Sequence, residues 1–552
     1  MNKIIILLIV LLFVSFDFTF TVAKKSGRKG VRALSDNEVL LSDGPIRGTT
    51  IDSHRVFYGI PFASPPIGEL RYEDPQPPKP WNYVRDGTKQ REQCIQKCEL
   101  GDGSCSEVGT SEDCLYLDVF IPRNISPGSK VPVMVFIPGG AFTQGTGSCP
   151  LYDSSKFANS SVIVVNVNYR LGVLGFLCTN ILSGNFGFLD QVMALDWVQE
   201  NIEVFGGDKD QVTLYGQSAG AFSVAAHLSS EKSAGKFHRA ILSSSPFTVG
   251  LKSQTVARGF AQRFSNKIGC DIEDIDCHRS KSPEEVLAIQ REVSLKFGDK
   301  ILDAFTIWSP VVDDVNINGQ PLTMIKEGTT HDVPTIIGDV QDEARIFVYM
   351  LFKKNVLPIS YKTMVRVLFG LLNGNKVLDL YPSPGFLQDC RPILSKLLTD
   401  YLFRCPGRYS VVKSAQLNES PVFHYFYNHV SSAGHSLEQC EGMVCHGSEL
   451  PMVFNTYESG FDQDLDEDEK LFAEELNNYF ANFVKYGNPS QPNGLPTPKV
   501  WSPTTKTTNT SLIMKVGFET KDIISNDPKC DLFDKISYNG YTKDQTRMRK
   551  NK

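Results

Sequence analysis

Gln211-Val212-Thr213-Leu214-Tyr215-Gly216-Gln217-Ser218-Ala219-Gly220 is the stretch that decides the fold of this chain. Its first five residues are mostly β-branched, aliphatic or aromatic, the composition of a strand. Ala219 to Leu228 is rich in small residues and reads as a helix that begins at once. Between them lies a Gly-x-Ser-x-Gly string, a weak signal by itself in a chain with 43 glycines. The strand-turn-helix setting is what a nucleophile elbow requires. Flanking glycines let the backbone take a tight, strained turn that lifts the Ser218 hydroxyl clear of its neighbours. The start of the following helix offers free N–H groups, which suit an oxyanion. The competing reading is a glycine-rich turn with no chemistry.

Outward from that elbow the pattern repeats. Lys130 to Ile137 and Ser161 to Val167 read as strands apolar on both faces, and Phe188 to Phe205 as a helix with a broad apolar stripe. His238 to Ser243 and Val333 to Gly338 continue the alternation. Strands buried on both sides and separated by helices predict an α/β fold, a large, mostly parallel sheet covered on both faces. The acidic stretch Asp462 to Glu469 reads as a solvated loop leading into a helix over 471–486. No repeat or linker interrupts the chain, so residues 24–540 read as one large domain with insertions, followed by a basic tail, 541–552.

The N-terminus has a short basic start, an apolar run from Ile4 to Val14, and Thr21-Val22-Ala23 where a signal peptidase would cut. Residues 1–23 are therefore expected to be a secretory signal peptide. No later stretch is apolar enough to span a membrane, and a net charge of -6 leaves no basic face for nucleic acid. The 13 cysteines suit an oxidising compartment, and their odd number leaves at least one unpaired within the chain. Spacing suggests local clasps: Cys94 with Cys114, Cys98 with Cys105, and Cys270 with Cys277. Sequons at Asn124, Asn159, Asn418 and Asn509 are candidate glycan sites. The expected location is the secretory pathway, either outside the cell or in the lumen of a secretory or storage vesicle.

An acyl-transfer site also needs donors aimed at the tetrahedral oxygen. The strand over 131–137 ends in Pro138-Gly139-Gly140-Ala141-Phe142, where small residues permit close approach of backbone to substrate; Gly140 and Ala141 are candidates. An ordinary Gly-Gly turn is the alternative.

The chain resembles the type-B carboxylesterase and cholinesterase family of α/β-hydrolases over nearly its whole mature length. The landmarks are Phe57-Tyr58-Gly59-Ile60-Pro61-Phe62-Ala63, Ser111-Glu112-Asp113-Cys114-Leu115-Tyr116-Leu117-Asp118-Val119, Gly187-Phe188-Leu189-Asp190-Gln191 and Phe205-Gly206-Gly207-Asp208, in that order before the elbow. The resemblance implies Ser218 as nucleophile, Glu343 (in Gly338-Asp339-Val340-Gln341-Asp342-Glu343) as acid and His446 (in His446-Gly447-Ser448-Glu449) as base. It also implies the N–H groups of Gly140, Ala141 and Ala219 as the oxyanion hole. Physical reading alone does not separate Glu343 from Asp339 or Asp342, nor His446 from His435. Further implied are a Cys405–Cys530 disulfide and internal ion pairs Arg47–Glu112 and Arg170–Asp190.

The implied activity is hydrolysis of small-molecule or lipid carboxylic esters through an acyl-enzyme. No cofactor, metal or protein partner is called for; Cys440 to His446 lacks two further ligands for a metal. Gln217 stands where cholinesterases carry Glu, and the loop from Cys94 to Cys114 lacks their choline-contacting Trp. A cationic ammonium group would lose both an anion and an aromatic face, so choline esters are not expected. An interfacial lipase is not favoured, because no lid or surface amphipathic helix stands out. The rival of a different class is a relative that keeps the fold for binding, adhesion or packed storage.

Overall fold

The apolar runs pair side by side into one large sheet. In this computed structural model the described residues are 37–538, apart from 52, 100, 102, 297–298, 436, 458–464 and 523–524. The expected signal segment 1–23 and the tail 541–552 lie outside the described residues. The main sheet contains β1 (Thr49–Ile51), β2 (His54–Pro61), β3 (Tyr116–Pro122), β4 (Val131–Ile137), β5 (Ile163–Val167) and β6 (Gly207–Gln217). It continues with β7 (Arg239–Ser243), β8 (Thr335–Val340), β9 (Val422–Tyr427), β10 (Ser511–Met514) and β11 (Glu519–Lys521). Their spatial order is β11-β10-β9-β8-β7-β6-β4-β5-β3-β2-β1. From β5 to β10 every pairing is parallel, and the flanks are antiparallel.

Burial on both faces explains the unbroken apolar sequence of the central strands. On β4, Val133, Val135 and Ile137 join the core on one side while Met134 and Phe136 join the core on the other. The helix predicted over 188–205 is α1 (Phe186–Asn201); its last turn, Ile202–Phe205, tightens to 3₁₀ and stops at Gly206, whose φ of 88° favours glycine. The predicted elbow helix is α2 (Ala219–His227).

Parallel register brings the carboxyl ends of β4, β6, β7 and β8 together. Gly216 lies beside Ile137 and Leu242, Gln217 beside Ser243, and Ser243 beside Gly338. Ligands of open α/β sheets bind beyond these ends. Gly338 has a packing reason as well, since a Cβ there would stand 2.1 Å from the ring of Tyr425 on β9.

Three expectations differ from the structure. Glu112 pairs with Arg71, through an Nε–Oε1 bond of 2.6 Å, and Arg47 instead meets Glu38 at 3.8 Å. Arg71 is buried and also donates to the carbonyls of Arg279 and Lys281, whereas the Arg47 side chain is half exposed, so only Arg71 can anchor the Glu112 loop. Glu469 is not a solvated loop residue. The helix α6 (Glu467–Tyr486) already contains it, capped by the Asp466 side chain at 2.9 Å, and Glu469 is buried against His429 and Ser432. Last, a surface amphipathic helix exists. After α3 (Arg345–Leu351) come α4 (Pro358–Phe369) and α5 (Leu371–Leu380), packed as a pair. α4 buries Tyr361, Val365 and Phe369 while Ile359, Lys362, Arg366 and Val367 face solvent.

Five disulfides are present: Cys94–Cys114, Cys98–Cys105, Cys270–Cys277, Cys405–Cys530 and Cys440–Cys445, leaving Cys149, Cys178 and Cys390 free and buried. Cys405–Cys530 spans 125 residues and ties the C-terminal helix to the sheet-covering helices, the closure that restrains an unfolded chain most in a chain-entropy account. Asn124 and Asn159 are exposed; Asn418 and Asn509 are half-buried, and the Asn509 amide already donates to Ser525 Oγ at 2.8 Å. Among the described residues no helix is long and apolar enough to cross a membrane.

Candidate active site

Ser218 caps the junction of β6 and α2 with φ 57° and ψ -122°, a conformation costing roughly 1–3 kcal/mol for a non-glycine residue. Its N–H donates to the Ser243 carbonyl at 2.9 Å, pinning the turn to β7. The flanking glycines are obligatory for packing. A Cβ on Gly216 would stand 2.3 Å from the Gly220 backbone, and one on Gly220 would stand 2.0 Å from the Ile137 carbonyl. Across from the elbow, Gly140 has φ 117° and a Cβ would collide with the Gln144 carbonyl at 2.1 Å. Ala141 follows in the left-handed region at φ 54°. Gly140, Ala141, Ser218 and Ala219 line one cavity, so the three candidate oxyanion donors and the hydroxyl share a space.

The other two predicted groups arrive from β8 and from the loop before 450. Asp342 joins them: its N–H donates to Val444 O at 2.9 Å, and its Oδ2 accepts from Val444 N at 3.2 Å. That clasp sets Glu343 opposite His446. Glu343 is fully buried; its Oε1 accepts from the Val340 N–H at 2.8 Å and its Oε2 takes the N–H of His446 Nδ1. The rivals lie against other groups. Asp339 is buried 3.7 Å from His424, and His435 lines the cavity while its Nδ1 accepts from the Leu437 N–H. The His446 ring is flanked by Phe347 at 5.1 Å and Phe403 at 5.2 Å, and the Cys440–Cys445 bond closes the loop just before it.

The cavity holds about 470 Å³ and is walled mainly by apolar side chains, among them Phe142, Phe305, Met350 and Leu402. Among the described residues its lining has no Lys, Arg or Trp and one carboxylate, Glu99, which is already met by Lys97 and Arg291, each at 2.9 Å. Among the described residues no cluster of three or more His, Cys, Asp or Glu could hold a metal.

Behind Glu343 lies Glu449, fully buried, and among the described residues no other residue hydrogen-bonds either carboxyl oxygen. Burial, reinforced by the charge of Glu343, pushes it up to about 8, so it is neutral over most of the physiological range. Between about 4.5 and about 8 the folded protein therefore holds a proton that the unfolded chain has lost, and stability falls as pH rises through that window, by about 1.4 kcal/mol per unit. Glu449→Gln removes that slope. The melting temperature of the variant minus that of wild type is expected to grow steadily from pH 5 to pH 8; parallel curves would refute the assignment.

Sequence reasoning missed the Cys440–Cys445 pair, the two Phe rings around His446, and a contact of 3.2 Å between the Gln217 amide nitrogen and His446 Nε2. The short Cys spacing beside the histidine was a usable signal for the first. Nothing local in sequence reveals the others, which depend on loops far apart in the chain.

A strand-elbow-helix carrying a serine, a carboxylate after a later strand and a histidine in a still later loop define the class as an α/β-hydrolase. The chain belongs to the carboxylesterase family, whose profile matches residues 35–533. It is 81% identical to the "Crystal protein" of Dictyostelium discoideum over 552 residues, covering 100% of both chains. To the "cAMP-regulated D2 protein" of the same organism it is 53% identical over 539 residues, 98% of this chain and 99% of that one. A solved PNB esterase structure superposes with a TM-score of 0.77 at 30% identity, covering 91% of this chain and 100% of the other.

Proposed function

We propose that the protein is a secreted serine hydrolase of carboxylic esters. The observation that carries the reading is the convergence of Ser218, His446 and the oxyanion-loop residues on one largely apolar cavity, with Glu343 holding Nδ1 of the histidine. His446 takes the Ser218 proton as Oγ attacks the carbonyl, and the Gly140, Ala141 and Ala219 N–H groups receive the oxyanion. The histidine then protonates the leaving alcohol, and water repeats the cycle on the acyl-enzyme. A largely apolar cavity in which the one rim carboxylate among the described residues, Glu99, is already paired favours neutral, hydrophobic esters over choline esters. Five disulfides support an oxidising, secretory setting.

A second reading, packed storage, is favoured by the name of the 81% identical relative and by the exposed Ile359, Val367, Leu371 and Leu372 on α4 and α5. One experiment addresses both. A fluorophosphonate should label the wild type and leave Ser218→Ala unlabelled. An unlabelled wild type, or equal labelling of both, overturns the enzyme reading. Labelling without turnover of any ester in a panel varied in acyl and alcohol groups favours storage.

A further inference from the structure

We propose that Gln217 is a positioning residue for the catalytic base: in the resting enzyme its amide N–H donates to Nε2 of His446, the nitrogen that must accept the Ser218 proton. The inference rests on the reading of His446 as that base. The Glu343 carboxylate can only accept, so Nδ1 carries the ring hydrogen and Nε2 of the neutral imidazole offers a lone pair. Only a donor can face that lone pair, and the Gln217 amide nitrogen lies 3.2 Å from it. The amide oxygen is turned toward Gly139, where a Cβ would stand 2.7 Å from it, so the bareness of the oxyanion loop makes room for this orientation. Gln217 is itself buried, at the end of β6 and one residue before the nucleophile.

Two consequences follow for the reaction. The Ser218 hydroxyl and the Gln217 amide compete for one lone pair, so attack begins with displacement of Gln217. Once the ring is protonated, the same amide N–H faces another N–H, with the amide oxygen on the side of Gly139. Glutamine in this orientation therefore favours the neutral, basic form of the ring. A carboxylate could serve only the charged one.

The test is the pH profile of kcat/KM for Gln217→Glu and Gln217→Met, with fluorophosphonate labelling rates measured in parallel and melting temperatures to report folding. Among the described residues the titratable groups around the ring are Glu343 on Nδ1, Glu449 behind it, and Glu99, His429, His435 and the tyrosines Tyr152, Tyr427 and Tyr457 around the cavity; Phe347 and Phe403 carry no charge. All are common to the three proteins. Replacing the donor by a carboxylate favours the charged ring, so in Gln217→Glu the acid limb should move to higher pH by about one unit or more, about a tenfold loss at a fixed acid pH. Methionine supplies neither donor nor acceptor, and its limb should move the same way by less. A carboxylate moves the limb whatever the glutamine did, so Gln217→Met decides the role: a purely packing residue would lower its melting temperature or plateau without moving its limb. Superposed limbs for the wild type and Gln217→Met, or movement of that limb to lower pH, with an active wild type would overturn this inference alone; a wild type that neither labels nor turns over ester would overturn the enzyme reading beneath it.

Discussion

Glu343→Gln is expected to lower kcat by about 10⁴ while leaving KM and the melting temperature nearly unchanged. The two side chains have almost the same shape, so the effect isolates hydrogen-bond polarity. Oε1 of Glu343 is committed to the Val340 N–H at 2.8 Å, a donor that can be satisfied only by an oxygen. In the variant the amide oxygen therefore stays on Val340 and the NH₂ group turns to Nδ1 of His446. A donor there forces the other imidazole tautomer, with the hydrogen on Nε2 and no lone pair toward Ser218. The base is present but wrongly protonated. Steady-state kinetics on any ester accepted by the wild type decides the matter, and a loss below about tenfold would mean that Glu343 does not set the tautomer.

Asp190→Ala should give the largest loss of stability among simple core variants, about 3–5 kcal/mol. Asp190 is fully buried and Arg170 nearly so, and they meet through Nε–Oδ2 at 2.8 Å and Nη2–Oδ1 at 2.7 Å, with the Arg170 N–H adding a third bond at 2.9 Å. The guanidinium also donates to Glu73 O at 2.8 Å and lies 5.4 Å from the centre of the Phe186 ring. Removing the carboxylate strands a buried cation that cannot shed its charge. The double variant Arg170→Met, Asp190→Leu takes out both charges and should recover most of the loss, because a buried pair is worth little against apolar residues of similar volume. Denaturant midpoints for the wild type, single and double variants measure this. Equal midpoints for single and double variants would show that the stranded charge is not the cause.

The architecture was legible because its signals are local and repeated. Val131 to Ile137 is apolar at almost every position since both faces are buried, and that pattern survives without any knowledge of neighbours. The elbow was legible for the same reason, with strand, turn and helix in one continuous stretch. Glu343 and His446 were reachable only through family resemblance, since Asp339, Asp342 and His435 are chemically equivalent until distant loops are placed. The Asp342–Val444 clasp does that placing. Arg47 and Arg71 illustrate the limit: either could pair with Glu112 by charge, and burial by residues more than 200 positions away selects Arg71. Glu469 looked like one more solvated acid because its partner, His429, lies 40 residues back on a different element.

The glycines of the elbow bear on how this lineage can change. Gly216, Gly220 and Gly140 are held by backbone collisions that exist whatever the neighbouring side chain does. A family member without the proposed reaction would still be selected to keep them, so the glycine frame persists as an inherited trait blind to activity. Ser218 is under no such packing constraint and could be lost in a single step without disturbing the frame. Glu343 is different again: with His446 gone it would be a buried, half-partnered acid, so the two should disappear together. Idleness in a relative is therefore to be read from the serine and from the joint fate of that pair, never from the glycines around them.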